Sequence, residues 1–325
     1  MVDARPHPSL APSGHDGHDD AGWMALLVTL IVALGFQFAD PFQIPLRGVA
    51  GPALFILILG AAAAFYRQRR SDGNIVSMCV GLQQMTLFSA IGAILSYMVA
   101  ARGGPYWDAR IAGWDQALGL DWRAYLRWMD RHAFLGGPLK SAYATIIPQM
   151  ALLIIVLGLA NRLAALRTAI LAAMIAGLAV ILLSGAMPAV AAYAHFGLRP
   201  ADYPHLQPAA ALIHMNDLAA LRAGTLHVLS LDRMEGIITF PSYHAALATV
   251  FGWGFLKAPQ LWIRATGTGL ALLTLAATPI DGGHYFSDVL AGCAIACASL
   301  LIARRAIHLR LLPGTRGKMP ASLPA

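Results

Sequence analysis

Charge is what this chain has least of. Of its 325 residues only 12% are Asp, Glu, Lys or Arg, about half the share that a soluble globular domain carries. That deficit excludes an ordinary water-soluble fold, and 58% hydrophobic content with a mean hydropathy of +0.62 points the same way. Cysteine is scarce too. Cys79, Cys293 and Cys297 all fall inside apolar runs, which disfavours a disulfide framework or a thiolate metal site and leaves small packing residues. No cleavable leader is expected, because the first 22 residues hold no apolar core and the run at 23–39 is not followed by a small-residue cleavage site. The net charge of +7 does not call for nucleic acid. Most basic residues flank apolar runs, where anionic lipid headgroups supply the counter-charge.

What is present in abundance is long apolar sequence. Eight segments stand out, at 23–39, 49–66, 75–101, 139–160, 167–196, 241–257, 261–277 and 283–303. In lipid only a helix satisfies its own backbone without closing a barrel. The sequence therefore predicts an all-α, polytopic membrane bundle of about eight transmembrane helices. Residues 1–21 and 312–325 are expected to be disordered tails, rich in Pro, Gly and Ser. A His-Asp-Gly-His-Asp-Asp run at 15–20 could hold a metal weakly, but a solvated tail is the simpler reading. Between the tails, residues 22–104 form a first set of transmembrane helices. Residues 105–311 form a second membrane domain. Within it, Trp114, Leu118, Trp122, Tyr125 and Trp128 recur at helical spacing, which predicts an amphipathic helix lying in the interface.

The short connectors set the orientation. Arg67, Arg69 and Arg70, then Arg162 and Arg167, then Lys257 and Arg264, then Arg304, Arg305, Arg310, Arg316 and Lys318 all share one side if eight helices alternate. The positive-inside tendency makes that side cytoplasmic. The expected setting is a bacterial inner membrane.

Two motifs place polar residues at the mouths of apolar helices, where they are costly. One is Phe240-Pro241-Ser242-Tyr243-His244; the other is Gly282-Gly283-His284-Tyr285-Phe286-Ser287-Asp288. One helical hairpin separates them, so both histidines lie at the same, extracytoplasmic face. Each sits at a helix N-terminus, where unpaired N–H groups and the dipole favour an anion. Ser242 can cap its helix or donate to a phosphate oxygen. His284 and Asp288 are four apart and share a helix face. The carboxylate can fix one imidazole nitrogen and leave the other free to attack. This pattern predicts His284 as a nucleophile forming a phosphohistidine, Asp288 as its orienting partner, and His244 as the acid and base for the leaving and accepting oxygens. No metal or cofactor is then required.

These residues resemble the second and third signature motifs of the type-2 phosphatidic acid phosphatase superfamily. The Gly-Gly-His-Tyr form, with the segment at 115–122, is most similar to its inositol-phosphorylceramide-synthase-like branch. The resemblance extends over roughly 107–303. It implies a helical bundle, metal-independent phosphohistidine chemistry and lipid phosphate or diphosphate substrates. By motif match it assigns His284, Asp288, His244 and Ser242 the roles given above. Two motifs depart from the pattern. Ala277 and Thr278 stand where the third motif usually opens with Ser-Arg. The first motif, Lys followed seven residues later by Arg-Pro, has Ala192 for its lysine, with Arg199-Pro200 as its end. Phosphate charge then falls to the helix ends and to loop arginines, with Arg222 and Arg199 the candidates and Arg233 a third.

Hydrolysis and transfer to a lipid alcohol share the covalent step, and the sequence leaves both open. Two rivals come from other classes. A proton-coupled transporter would use His244, His284 and Asp288 as a relay and calls for repeated broken helices. A metalloprotein would need further ligands, for which His195, His205, His214 and His227 are in the right region. The expected partners are a lipid phosphate substrate and the surrounding membrane lipids; oligomeric state is open.

Overall fold

The computed structural model describes residues 20–311, and no strand forms among them. Its helices are α1 (Asp20–Ala39), α2 (Leu46–Phe65), α3 (Gly73–Ala101), α4 (Asp108–Ala117), α5 (Trp122–Arg131), α6 (Gly136–Ala144), α7 (Ile146–Leu159), α8 (Leu163–Ala186), the single turn α9 (Ala192–His195), α10 (Met215–Arg222), α11 (Tyr243–Phe255), α12 (Leu261–Asp281) and α13 (Phe286–Leu311). The tails expected at 1–21 and 312–325, and the polar run at 15–20, lie outside the described residues, except that α1 already begins at Asp20.

The all-helical membrane bundle is as the sequence predicts. Six helices, α1, α2, α3, α8, α12 and α13, are long and apolar enough to cross a bilayer. The bent pair α6 and α7 makes a seventh if it is one span. The sixth apolar segment, at 241–257, yields only the 13-residue α11, short of the roughly 20 residues that a full crossing needs. The run at 167–196 is not one helix either. It stops at Ala186, two residues before Pro188, because proline disfavours helical geometry in the residue before it.

Helix α8 is the axis of the bundle. Five of its buried positions are small: Ala169, Ala172, Ala173, Ala176 and Gly177. A Cβ on Gly177 would meet the Phe88 ring at 2.5 Å and Tyr243 at 3.0 Å. Small residues let helix backbones approach closely, which is how membrane helices gain packing where lipid removes the hydrophobic driving force. Met85, Phe88, Leu153, Leu157, Val250, Phe251 and Phe255 close around this axis. On the outside, Leu54, Leu57 and Ile58 of α2 point outward, as lipid-facing positions do.

The bend between α6 and α7 is 60°. Pro148 sits in the first turn of α7, and its ring crowds the carbonyl four residues back at Ala144. Carbonyls in the last turns of α6 take side-chain donors. Thr145 Oγ1 donates to Ser141 O at 2.7 Å, and Gln149 Nε2 and Thr274 Oγ1 donate to Ala142 O at 2.7 and 3.2 Å. The break is thereby stitched to α12. No second bent pair occurs among the described spans.

The interfacial segment at 105–134 also differs from the expected single helix. It is two helices, α4 and α5, broken where Gly119 takes φ +73° and Asp121 caps α5 by accepting from Ala124 N–H at 2.9 Å. Trp122 is buried rather than interfacial. It belongs to a second core with Ile111, Leu126, Met129, Tyr143, Tyr193, Ile280 and Tyr285, which caps the membrane core at one end. The chain enters or leaves that end at the C-termini of α3, α8 and α12 and the N-termini of α11 and α13. The clusters Arg67–Arg70, Arg162, Lys257 with Arg264, and Arg304 with Arg305 therefore lie at the opposite end.

Candidate active site

The site is built where α11, α12 and α13 meet under the α4–α5 cap. His284 lies in the turn between α12 and α13, two residues before α13 begins. Its contact with Asp288 is thus made across a helix start, not along one helix face. Tyr285 precedes the first helical residue, and Asp288 is the third residue of α13. The Asp288 carboxylate reaches back to accept the Tyr285 N–H at 2.9 Å, with Oδ2 also 3.3 Å from His284 Nδ1. This is the return half of a capping box. Both side chains are buried, and Asp288 Oδ1 has no hydrogen-bond partner among the described residues. Burial pushes the His284 imidazole down to about 4, against the pull of a hydrogen bond to the Thr239 backbone. It is therefore neutral at physiological pH and holds a lone pair.

Two glycines let this turn exist. Gly283 takes φ +68°, a left-handed conformation that costs other residues energy. A Cβ on Gly282 would lie 2.6 Å from both His284 Cδ2 and the Tyr143 hydroxyl. The phenol and the imidazole thus both crowd the space that a side chain on this glycine would need.

His244 is the second residue of α11. The Tyr143 ring lies against it, with centroids 4.1 Å apart and planes 10° from parallel. The 60° bend after α6 is what brings Tyr143 there. Neither ring nitrogen of His244 has a hydrogen-bond partner among the described residues, and the side chain is only partly buried. Ser242 is fully buried and caps α11, its Oγ accepting from Ala245 N–H at 3.3 Å. Its own N–H donates to Asp288 O at 3.1 Å, tying the two motifs together. Gly292 of α13 permits this, since a Cβ there would meet Ser242 O at 2.2 Å.

One electrostatic expectation needs correction. The N–H groups that open α13 are not free for an anion. Asp115 of α4 accepts from Phe286 N–H at 2.9 Å, from Ser287 N–H at 2.7 Å and from Ser287 Oγ at 2.5 Å. The protein's own carboxylates occupy that helix end. At α11, by contrast, the N–H groups of Tyr243 and His244 have no partner among the described residues.

Asp115 and Asp108 escaped the sequence reading. Asp108 accepts Val190 N–H at 3.1 and 3.0 Å through its two oxygens, and the Tyr285 hydroxyl at 2.9 Å. Trp122 Nε1 completes the frame by donating to His284 O at 2.9 Å. The signal was present: two acids seven residues apart share a helix face, in a segment otherwise suited to the interface. Tyr143 left no signal, being one aromatic in an apolar run.

The arginines separate. Arg222 donates from Nη1 to Gly104 O at 2.6 Å and lies over the Tyr106 ring, while its Nε and Nη2 are buried without partners. Arg199 and Arg233 are exposed, and no hydrogen bond or ion pair joins either side chain to the histidines. Among the described residues no group of three or more His, Cys, Asp or Glu is arranged to hold a metal. His205 instead pairs with Asp130 at 3.0 Å, and His195 packs on Phe196 and Tyr285.

The profile of the PAP2 superfamily matches residues 109–302, more than half of the chain. This chain belongs to the PAP2 superfamily. The match spans both histidine motifs and the α4–α5 cap and ends within α13. Neither a curated protein nor a solved structure matches the chain. Membership supports a phosphatase-type activity on lipid phosphates and a place in a membrane.

Proposed function

We propose that the protein is a lipid phosphate phosphatase or phosphotransferase working through a phosphohistidine on His284. The observation that carries this is the neutral, buried His284 imidazole with Nδ1 beside Asp288 and His244 close by, across Tyr143. A neutral imidazole holds one N–H; donated from Nδ1 to Asp288 rather than to the Thr239 backbone, it leaves the Nε2 lone pair to attack phosphorus. As the N–P bond forms, the P–O bond to the lipid breaks and His244 protonates the leaving oxygen. His244 then takes a proton from the accepting hydroxyl, whose oxygen displaces His284 from phosphorus. Arg222, with two unspent donors, and the N–H groups that open α11 are the groups proposed to meet phosphate charge. Ser242 contributes through the cap it forms.

The proposed location of the site is the extracytoplasmic face, because the basic clusters gather at the other end of the bundle. Water is the general acceptor. Transfer to a lipid alcohol, as in the inositol-phosphorylceramide-synthase-like branch, is the second reading. It is favoured by the α4–α5 cap, under which His284 is only 3% exposed, since an alcohol succeeds only where water is held back.

The test is a panel of lipid phosphates and diphosphates offered to the purified protein, with free phosphate and transferred headgroup both followed. Turnover that resists EDTA and yields to vanadate is expected. His284→Ala should abolish it, and Asp288→Asn should leave a folded, slow protein. Wild-type turnover from His284→Ala would overturn the nucleophile, and EDTA inactivation reversed by zinc would overturn the metal-free route.

A further inference from the structure

His214 ends a loop that lies against the nucleophile's turn. Ala209 N–H donates to Asp281 Oδ1 at 3.1 Å and Ala210 N–H to Asp281 O at 2.7 Å. Ala211 O lies 3.3 Å from where a Cβ on Gly283 would sit. Residues 209–211 thus run beside 281–283, and His214 follows three residues on, at the start of α10.

The His214 side chain is 3% exposed, and its Nε2 is fully buried with no hydrogen-bond partner. The ring bonds the Val190 backbone. The Val190 N–H is already given to Asp108, so the imidazole donates to the Val190 carbonyl, and it does so through Nδ1. That bond fixes the tautomer. Nε2 is left with a lone pair, enclosed by protein and bonded to nothing, which buried polar atoms in folded proteins rarely are.

His284 is one of the groups that act on His214 electrostatically. We infer that His214 is a third histidine of the reaction site, and that its Nε2 binds a phosphoryl oxygen of the substrate. This rests on the phosphoryl-transfer function proposed above. The sequence gives the site a reason to need it, since Thr278 stands where the resemblance leads one to expect a phosphate-clamping arginine. An imidazole fills the role if it gains a proton as the phosphate arrives. The charged and titratable groups around it are His284, which opposes protonation, and Asp217, which favours it but already accepts from the Tyr97 hydroxyl at 2.6 Å. Asp108 faces the same Val190 residue by accepting its N–H. Burial holds the ring neutral. A phosphate oxyanion reverses that balance. The proton comes from the P–OH of a monoanionic phosphate or from solvent, moves to Nε2, and is then shared with the phosphoryl oxygen. No bond to phosphorus changes and no electrons transfer.

Two variants separate this role from a structural one. In His214→Asn the amide can still reach the Val190 carbonyl but cannot replace Nε2. In His214→Gln the amide reaches towards the Nε2 position. Orthovanadate inhibition and lipid phosphate kinetics are measured on the detergent-solubilised full chain, with folding followed by circular dichroism. His214→Asn should raise the vanadate inhibition constant and KM by about tenfold or more, as loss of one charge-assisted hydrogen bond does, with a smaller fall in kcat. His214→Gln should recover part of that loss. Wild-type vanadate affinity and KM in His214→Asn, or full function in Asn and none in Gln, would overturn the inference while an active wild type leaves phosphoryl transfer standing. A wild type that turns over no lipid phosphate and does not respond to vanadate would overturn both.

Discussion

Tyr143 and His244 stack face to face, 4.1 Å between ring centroids and 10° from parallel, although they come from two helices far apart in the chain, α6 and α11. The contact exists because Pro148 bends the chain between α6 and α7, and it fixes the plane in which His244 presents its nitrogens. Aromatic stacking of this kind is worth about 0.5–1.5 kcal/mol. Tyr143→Phe keeps the stack and should turn over lipid phosphate like the wild type. Tyr143→Leu should lower kcat by roughly 3- to 10-fold, the rate equivalent of that energy. Equal losses in the two variants would mean that the hydroxyl, not the ring, is what matters.

Gly282 is a tightly packed point of the site. A methyl group there would have to displace either the Tyr143 hydroxyl or the His284 ring, each 2.6 Å away, with Thr278 O at 3.0 Å behind. A 1 Å misplacement of a reacting group costs on the order of a hundredfold in rate. Gly282→Ala should therefore lose about that much activity while keeping its helical circular dichroism and its elution volume in detergent. Retained activity would show that the ring moves aside without consequence.

Much of this arrangement was legible in the sequence, and the part that was not has a physical reason. Apolar runs give the helical membrane bundle because lipid leaves the backbone no other choice. The pairing of His284 with Asp288 and the meeting of the two motifs at one end of the bundle follow from their spacing around one hairpin. Local sequence does not tell where a helix bends in three dimensions or which distant side chain will satisfy a helix end. Tyr143 reaches the site only through the bend after α6. Asp115 looked like one polar residue of an interfacial helix, yet its carboxylate consumes the α13 amides that had been credited to phosphate.

That carboxylate supports the nucleophile's turn and does no chemistry in the proposed route. Asp115 takes two backbone N–H groups and one hydroxyl while itself buried. Hydrogen bonds to a charged group contribute about 1.5–3 kcal/mol each, and leaving buried donors unpaired adds to the loss. Asp115→Ala should destabilise the protein by about 3–5 kcal/mol, read as a lowered midpoint of thermal unfolding in detergent. Asp115→Asn, which keeps one accepting oxygen, should fall between. A midpoint unchanged in Asp115→Ala would mean that water replaces the carboxylate and the cap is dispensable.

Acid should weaken the fold through the same buried histidines. Burial holds His284 at about 4 and holds His214 below its ordinary value of 6.5. Above pH 6.5 both groups are neutral whether the chain is folded or not, and they leave stability unchanged. As pH falls below 6.5 the unfolded chain binds protons that the folded one refuses, so unfolding becomes easier. The loss from His284 grows until about pH 4, where the folded protein also takes its proton, and amounts to at most about 3 kcal/mol. Thermal unfolding in detergent should therefore show a constant midpoint from pH 8 to 7 and a decline from 6.5 towards 4. His284→Gln, which cannot titrate, should flatten that decline. A decline of wild-type steepness in His284→Gln would assign the acid sensitivity to other groups.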